Sequence, residues 1–264
     1  MLPAGFRYIM FQQIRSYYLT AVADLRFQGL EVLIYRIIVK LCSPVARLDL
    51  QVLFDYDLSG PVPWRRPLVD VVITQASSAD VDEILEMQMP VLTAEEEARL
   101  RDLEELQYAQ MLRARAKAWD TYQRQLLAGE WCFIARVQGV LVHSNWLRFH
   151  DCGQVEGCPV ALQPGEVYST DGFTRESHRG LRLHEAVATY QLEVARQRGC
   201  VIAYTITDMT KGGSRRGVKR IGWRRRGTVL YATPRGLHRT WLFRLGGDIE
   251  PMFDQARTTM AAEP

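Results

Sequence analysis

The sequence predicts an α/β fold of the α+β kind, a central sheet flanked by helices behind an N-terminal extension of one helix and one strand. Three stretches carry that prediction. A strand-like run, Val167 to Thr174, passes through the polar turn Arg175-Glu176-Ser177-His178-Arg179-Gly180 into a helix. The apolar residues of that helix, Leu181, Leu183, Val187, Tyr190, Leu192, Val194 and Ala195, recur at mostly helical spacing. Leu48, Leu50, Val52, Phe54, Tyr56 and Leu58 alternate with Asp49, Gln51, Leu53, Asp55 and Asp57, as in a strand with one buried and one mostly polar face. Trp131 to Trp146 reads as a hairpin turning at Gln138-Gly139.

The other elements follow in order. Residues 1 to about 45 read as helical, densest from Gly29 to Cys42 and interrupted there by Glu31, Arg36 and Lys40. No uncharged run there nears the roughly 20 residues needed to span a bilayer. Its apolar stripe fits packing on its own domain, and the neighbouring cations leave a peripheral membrane contact open. Ser59-Gly60-Pro61, Pro63 and Pro67 mark a boundary, giving an extension at 1–66, a main domain at 67–247 and a tail at 248–264. Val69 to Ile73 is a second strand, followed by Ser77 as N-cap, Asp80 in the first turn, and a helix through Val81, Ile84, Leu85 and Met87. Thr93 with Glu96 forms a capping box ahead of a long mixed-charge helical stretch, Ala94 to Leu127, in which a break is expected. A loop from His150 to Gly165 precedes the Val167 strand. After Gly199, which suits a helix end, come strands at Val201 to Ile206, Thr228 to Thr233 and Arg239 to Leu245.

Bulk properties narrow the function classes. Across 264 residues, 47% hydrophobic and 24% charged content is that of an ordinary globular protein. The net charge of +3 does not by itself imply a nucleic-acid partner. Cys42, Cys132, Cys152, Cys158 and Cys200 are scattered and lack zinc-site spacing, so they read as reduced thiols of a cytoplasmic protein. The five histidines show no paired spacing, and no metal site is expected.

A strand delivered into a helix N-terminus aims several backbone N–H groups at one point, which attracts an anion such as a phosphate. The frame Arg179-Gly180-Leu181-Arg182-Leu183-His184 resembles the Arg-Gly-x-Gly-x-Gly turn of the GNAT acyltransferases, the acetyl-CoA-dependent N-acetyltransferase superfamily. Arg182 and His184 stand where that family has small residues, and bulky side chains there narrow the approach of a pyrophosphate. The opening strand-turn-helix around Ser77 and the hairpin with its turn glycine resemble the same family. Farther on, Lys211, Ser214, Val218 and the run Arg220-Ile221-Gly222-Trp223 fall on its Asn-x-x-Ala/Ser, Tyr and Lys-x-Gly-Phe positions. The tyrosine that often protonates the leaving thiolate is thus replaced by Val218.

The resemblance covers Val69 to about Leu245. It implies a mixed, mostly antiparallel sheet, splayed between parallel strands at Val167 and Val201. It further implies an N-acyltransferase moving an acetyl or longer acyl group from a CoA thioester to a primary amine, small or carrier-bound. Cofactor contacts would come from Phe173, Thr174, Arg179, Gly180, Leu181, Arg182, Leu183, His184, Lys211 and Ser214. Asp171, the only carboxylate in the Val167–Thr174 strand, is the candidate base, with a plain turn aspartate as its alternative; Ser214 is the second catalytic candidate. Tyr168 and Tyr204 offer hydroxyls or are core residues.

Eight of the sixteen residues from Lys211 to Arg226 are basic, which concentrates positive field for CoA phosphates, an acyl-carrier protein or an anionic lipid surface. A second reading is a GNAT-like module without catalysis, engaging a partner, carrier protein or membrane through this basic face or the N-terminal helix. A homodimer stays open; nucleic acid is disfavoured because Trp223 alone interleaves the basic run.

Overall fold

A computed structural model describes residues 30–89, 112–149, 154–155, 158–159, 162–236 and 241–247. The helices are α1 (Leu30–Cys42), α2 (Val81–Gln88), α3 (112–127), α4 (Leu183–Gln197) and α5 (Gly212–Ile221). The strands are β1 (Ala46–Asp57), β2 (Val72–Gln75), β3 (Trp131–Val137), β4 (Val140–Arg148), β5 (Gln154–Val155), β6 (Cys158–Pro159), β7 (Glu166–Thr174), β8 (Ile202–Asp208), β9 (Arg224–Pro234) and β10 (Trp241–Gly247). Eight strands form one sheet in the order β10-β9-β1-β8-β7-β4-β3-β2, while β5 and β6 pair separately. The pairs β9–β10, β2–β3, β3–β4 and β4–β7 are antiparallel and β7–β8 is parallel. The predicted mixed, mostly antiparallel sheet and the parallel pair at Val167 and Val201 are both present.

The chain divides into two units. The first takes in the described residues of 30–53, 206–216 and 225–247. Here α1 buries Val32 and Tyr35, and the Tyr35 hydroxyl donates to the Leu48 carbonyl at 3.2 Å and accepts from the Leu50 N–H at 2.9 Å. Burial pushes that hydroxyl up to about 12. Leu30, Ile34, Ile37, Ile38 and Leu41 form the opposite, exposed stripe of α1. The Met209 N–H donates to the Leu50 carbonyl, joining the end of β8 to β1.

The second unit spans the described residues of 54–205 and 217–224. Its sheet is sandwiched. Ile84 and Met87 of α2 and Tyr122 and Leu126 of α3 pack with Cys132, Ile134 and Trp146 on one face. Phe133, which points the other way, meets Tyr190 of α4 edge-on at 5.8 Å. The β3–β4 hairpin turns at Gln138 (φ 50°) and Gly139 (φ 82°), the two left-handed residues that a tight hairpin turn requires. Ser77 caps a 3₁₀ turn, Ser78–Asp80, its N–H and hydroxyl both donating to Asp80, and Asp80 rather than Ser77 is the N-cap of α2 itself.

Several expectations shift. β1 is not amphipathic in burial: Leu50 to Asp55 are all buried, Gln51 and Asp55 included, because β1 is an interior strand with neighbours on both sides. The second strand starts at Val72, not Val69, since its ladder runs opposite Phe133–Arg136. The helix after the polar turn begins at Leu183 rather than Leu181. The His150–Gly165 loop carries the short β5–β6 pair. The capping box at Thr93 and Glu96, the helical segment before residue 30, and the 248–264 tail lie outside the described residues. Among the described residues no helix is long and apolar enough to cross a membrane.

Candidate functional site

β7 pairs with β8 only from Glu166↔Ile202 to Ser169↔Thr205, although β7 runs on to Thr174. On its other edge, Thr170 faces Trp146 and Phe173 faces Ser144, so two residues of β7, Asp171 and Gly172, oppose one of β4. This is a bulge, and Asp171 takes φ 52° to make it. The Asp171 side chain is partly exposed and meets the Arg148 guanidinium at 3.2 Å; Arg148 also reaches Glu130 at 3.4 Å. The carboxylate proposed from sequence as a base is thus held by an arginine that bridges two acids. Phe173 packs on the cluster formed by α2, α3 and Trp146. Nearby, the Tyr122 hydroxyl donates to Gln88, whose amide donates to the Ser144 hydroxyl. Burial, followed by the Asp171 charge, pushes Tyr122 up to about 12.

Past Thr174 the chain turns into α4. Gly180 (φ 83°) and Arg182 (φ 59°, ψ 22°) are both left-handed, and Arg182 is the N-cap of α4 rather than a residue one turn into it. The turn needs positive φ at both positions, which glycine takes without strain, and at the second an arginine supplies it. The turn is fastened by Arg175 N–H to the Val142 carbonyl and by Leu68 N–H to the Leu181 carbonyl. Among the described residues, the N–H groups of Gly180, Leu181, Arg182, Leu183 and His184 find no acceptor. Arg179, Gly180 and Arg182 are exposed, Leu181 and Thr174 are half-buried, and Leu183 is core.

His184 turns back toward the sheet. A Cβ at Gly172 would lie 3.3 Å from its Cε1, and a Cβ at Gly217 would lie 3.5 Å from its Cδ2. Glycines on β7 and α5 leave room for the ring. Its ring lies 5.6 Å from that of His143, edge to face. His143 is fully buried, and its Nδ1 is 2.8 Å from the Thr174 hydroxyl. Burial holds His143 well below the ordinary 6.5, helped by His184. Burial lowers His184 too, against the pull of Glu185. The polar layer continues along α4, where Gln191 and Asn145 both donate to the Ser169 hydroxyl, at 2.7 and 3.3 Å.

Sequence reasoning missed this layer. The signal was the run His143-Ser144-Asn145 in the middle of an otherwise apolar hairpin strand, where three polar residues break the pattern. Tyr168 and Tyr204 are buried core residues, the Tyr204 hydroxyl donating to Glu166. Lys211 and Ser214 are exposed at the start of α5, in the first unit, and Val218 is buried. Three of the eight basic residues are held in ion pairs: Arg220 with the buried Glu185 at 2.6 Å, Arg224 with the buried Asp55 at 3.1 Å, and Arg225 with Glu31 at 3.3 Å. Among the described residues no group of three or more His, Cys, Asp or Glu is placed to hold a metal.

No protein-family model and no curated protein matches the chain. Among solved structures, it is similar to a conserved protein of unknown function from Staphylococcus epidermidis, at 13% identity and TM-score 0.48, covering 78% of this chain and 68% of that one. A GNAT-family acetyltransferase from Colwellia psychrerythraea shows 11% identity and TM-score 0.47 over 74% of this chain and 60% of that one. A predicted acetyltransferase from Clostridium acetobutylicum, with acetyl-CoA, shows 12% identity and TM-score 0.40 over 59% and 90%. The chain thus spans about two thirds or less of the length of the first two. Its own strand order, the parallel β7–β8 pair and the strand–turn–helix after β7 match the architecture that the sequence resemblance to the GNAT acyltransferases implies.

Proposed function

We propose that the chain is an N-acyltransferase taking an acetyl or longer acyl group from a CoA thioester and passing it to a primary amine. The observation that carries this reading is the left-handed turn at Gly180 and Arg182, with N–H groups from Gly180 to His184 that find no acceptor at the start of α4. Such a nest accepts a pyrophosphate, and the helix dipole favours the same charge. Gly180, Leu181, Arg182, Leu183 and His184 would bind it through backbone groups, with the exposed Arg179 and Arg182 guanidinium groups adding charged hydrogen bonds. Phe173 and Thr174 would lie along the pantetheine arm, and the N–H groups of β7 beyond Ser169 would serve the developing oxyanion.

In this reading Asp171 takes the proton from the amine as its nitrogen attacks the thioester carbonyl. The C–S bond then breaks and the thiolate leaves with the electron pair. A simple thiol ionises near 8.5, so the thiolate leaves readily without a proton donor at the Val218 position. The ion pairs of Arg220, Arg224 and Arg225 count against a basic docking face and so against the non-catalytic reading.

The test is isothermal calorimetry with CoA together with thiol release from acetyl-CoA and a longer acyl-CoA over a panel of primary amines. CoA binding with amine-dependent thiol release is expected. The absence of any heat or thermal shift at millimolar CoA would remove the reading.

A further inference from the structure

The turn between β7 and α4 has two ends, Thr174 and His184, and both meet His143. The Thr174 hydroxyl lies 2.8 Å from His143 Nδ1, and the His184 ring lies 5.6 Å from the His143 ring with an interplanar angle of 64°. The His184 ring has little freedom, since Gly172 and Gly217 bracket it at ordinary to tight contact distance. His143 comes from neither end of the turn; it sits on β4, opposite Thr174 in the ladder.

The choice of histidine at this position has a cost. His143 Nε2 is buried and has no hydrogen-bond partner among the described residues. An unpaired buried nitrogen is destabilising, and an apolar ring would avoid that penalty. What the histidine provides that an apolar ring does not is the hydrogen bond to Thr174. We propose that the His143–His184 pair is a positioning device that staples the two ends of the 175–182 turn together and thereby sets how tightly the turn holds a phosphate. The ligand in this inference rests on the acyl-CoA reading; the staple itself does not.

The pair also has a charge logic. From β3 and β7 the neighbours are Ala135, Gly172 and Thr174, which carry no charge. From α4 comes Glu185, and from α5 Arg220; these two already neutralise each other. A proton on the fully buried His143 ring would therefore be a buried charge without a free counter-charge, and one on the half-buried His184 beside it would disfavour the same contact; either would work against the staple. The turn is held closed with both rings neutral.

The experiment uses hydrogen exchange on the unliganded full chain, read at the amides of Leu68, Arg175 and Ala186, whose hydrogen bonds bracket the turn. Thr174→Val removes the hydroxyl at nearly constant shape and leaves both histidines in place; His184→Gln disturbs the other end. In each variant exchange at these amides should quicken about three- to tenfold, the worth of one net hydrogen bond, with the β3 and β4 amides unchanged. The dissociation constant for CoA should rise by a similar factor. Unchanged exchange at the turn in both variants overturns the staple, as does quickening that spreads over β3 and β4. Local quickening in a chain whose parent shows no heat with CoA supports the staple and removes the CoA reading instead.

Discussion

Arg182 carries a full side chain through a left-handed backbone conformation, which costs an L-residue about 1–2 kcal/mol. Arg182→Gly should therefore stabilise the chain by about 1 kcal/mol, allowing for glycine's greater freedom when unfolded, seen as a higher urea midpoint at unchanged slope. The same change should weaken CoA binding about tenfold or more, the loss of one charged hydrogen bond. Arg182→Ala keeps the strain and should lose affinity without that gain in stability. The histidines make a second prediction at this scale. In the folded chain burial holds both below 6.5, whereas unfolded they titrate near 6.5, so the unfolded state takes up protons first. Stability is then full above about pH 6.5 and falls as pH drops below it, by up to about 1.4 kcal/mol per unit for each ring. Urea midpoints from pH 7.5 to 5 should show this fall, and His184→Gln should flatten it.

His184 packs β7, α4 and α5 together, and two glycines report on it differently. At Gly172 a Cβ would come within 3.1 Å of Asn145 Oδ1 and 3.3 Å of His184, so Gly172→Ala should cost about 1–3 kcal/mol by overpacking. Gly217 sits inside α5 with 3.5 Å to the ring, so Gly217→Ala should be neutral or stabilise by up to about 1 kcal/mol through helix propensity. The thermal midpoint should therefore fall in Gly172→Ala and hold or rise in Gly217→Ala. Pattern reasoning found these elements because their cues are local. Gln138-Gly139 can only be a tight turn, Gly199 closes α4, and Ser77 with Asp80 opens the 3₁₀ turn before α2. It missed the staple because Thr174, His143 and His184 are brought together only by the ladder and by helix packing. It misplaced Arg182 because apolar Leu181 extends the helical period two residues past the backbone change at the N-cap.

At the scale of the whole molecule, β1 decides what can be removed. Its period of two was legible, but its place was not: it lies between β8 and β9 inside the sheet rather than outside it as an appendage. A chain that starts at Pro67, at the boundary read from the prolines, should leave β8 and β9 each with one open edge. We expect it to be insoluble or to lack a cooperative thermal transition, whereas a chain that keeps residues 30–247 should melt cooperatively. The position of β1 also bears on how the chain reaches its fold. Asp55 meets Arg224 across 169 residues of sequence, and β1 has no sheet partners until β8 and β9 exist. During synthesis the strand emerges early and waits, apolar and unpaired, for the last third of the chain. Closing a loop of that length makes folding slow and non-local. The growing chain is therefore expected to depend on holding factors at the ribosome, and refolding from urea should yield less native protein as concentration rises.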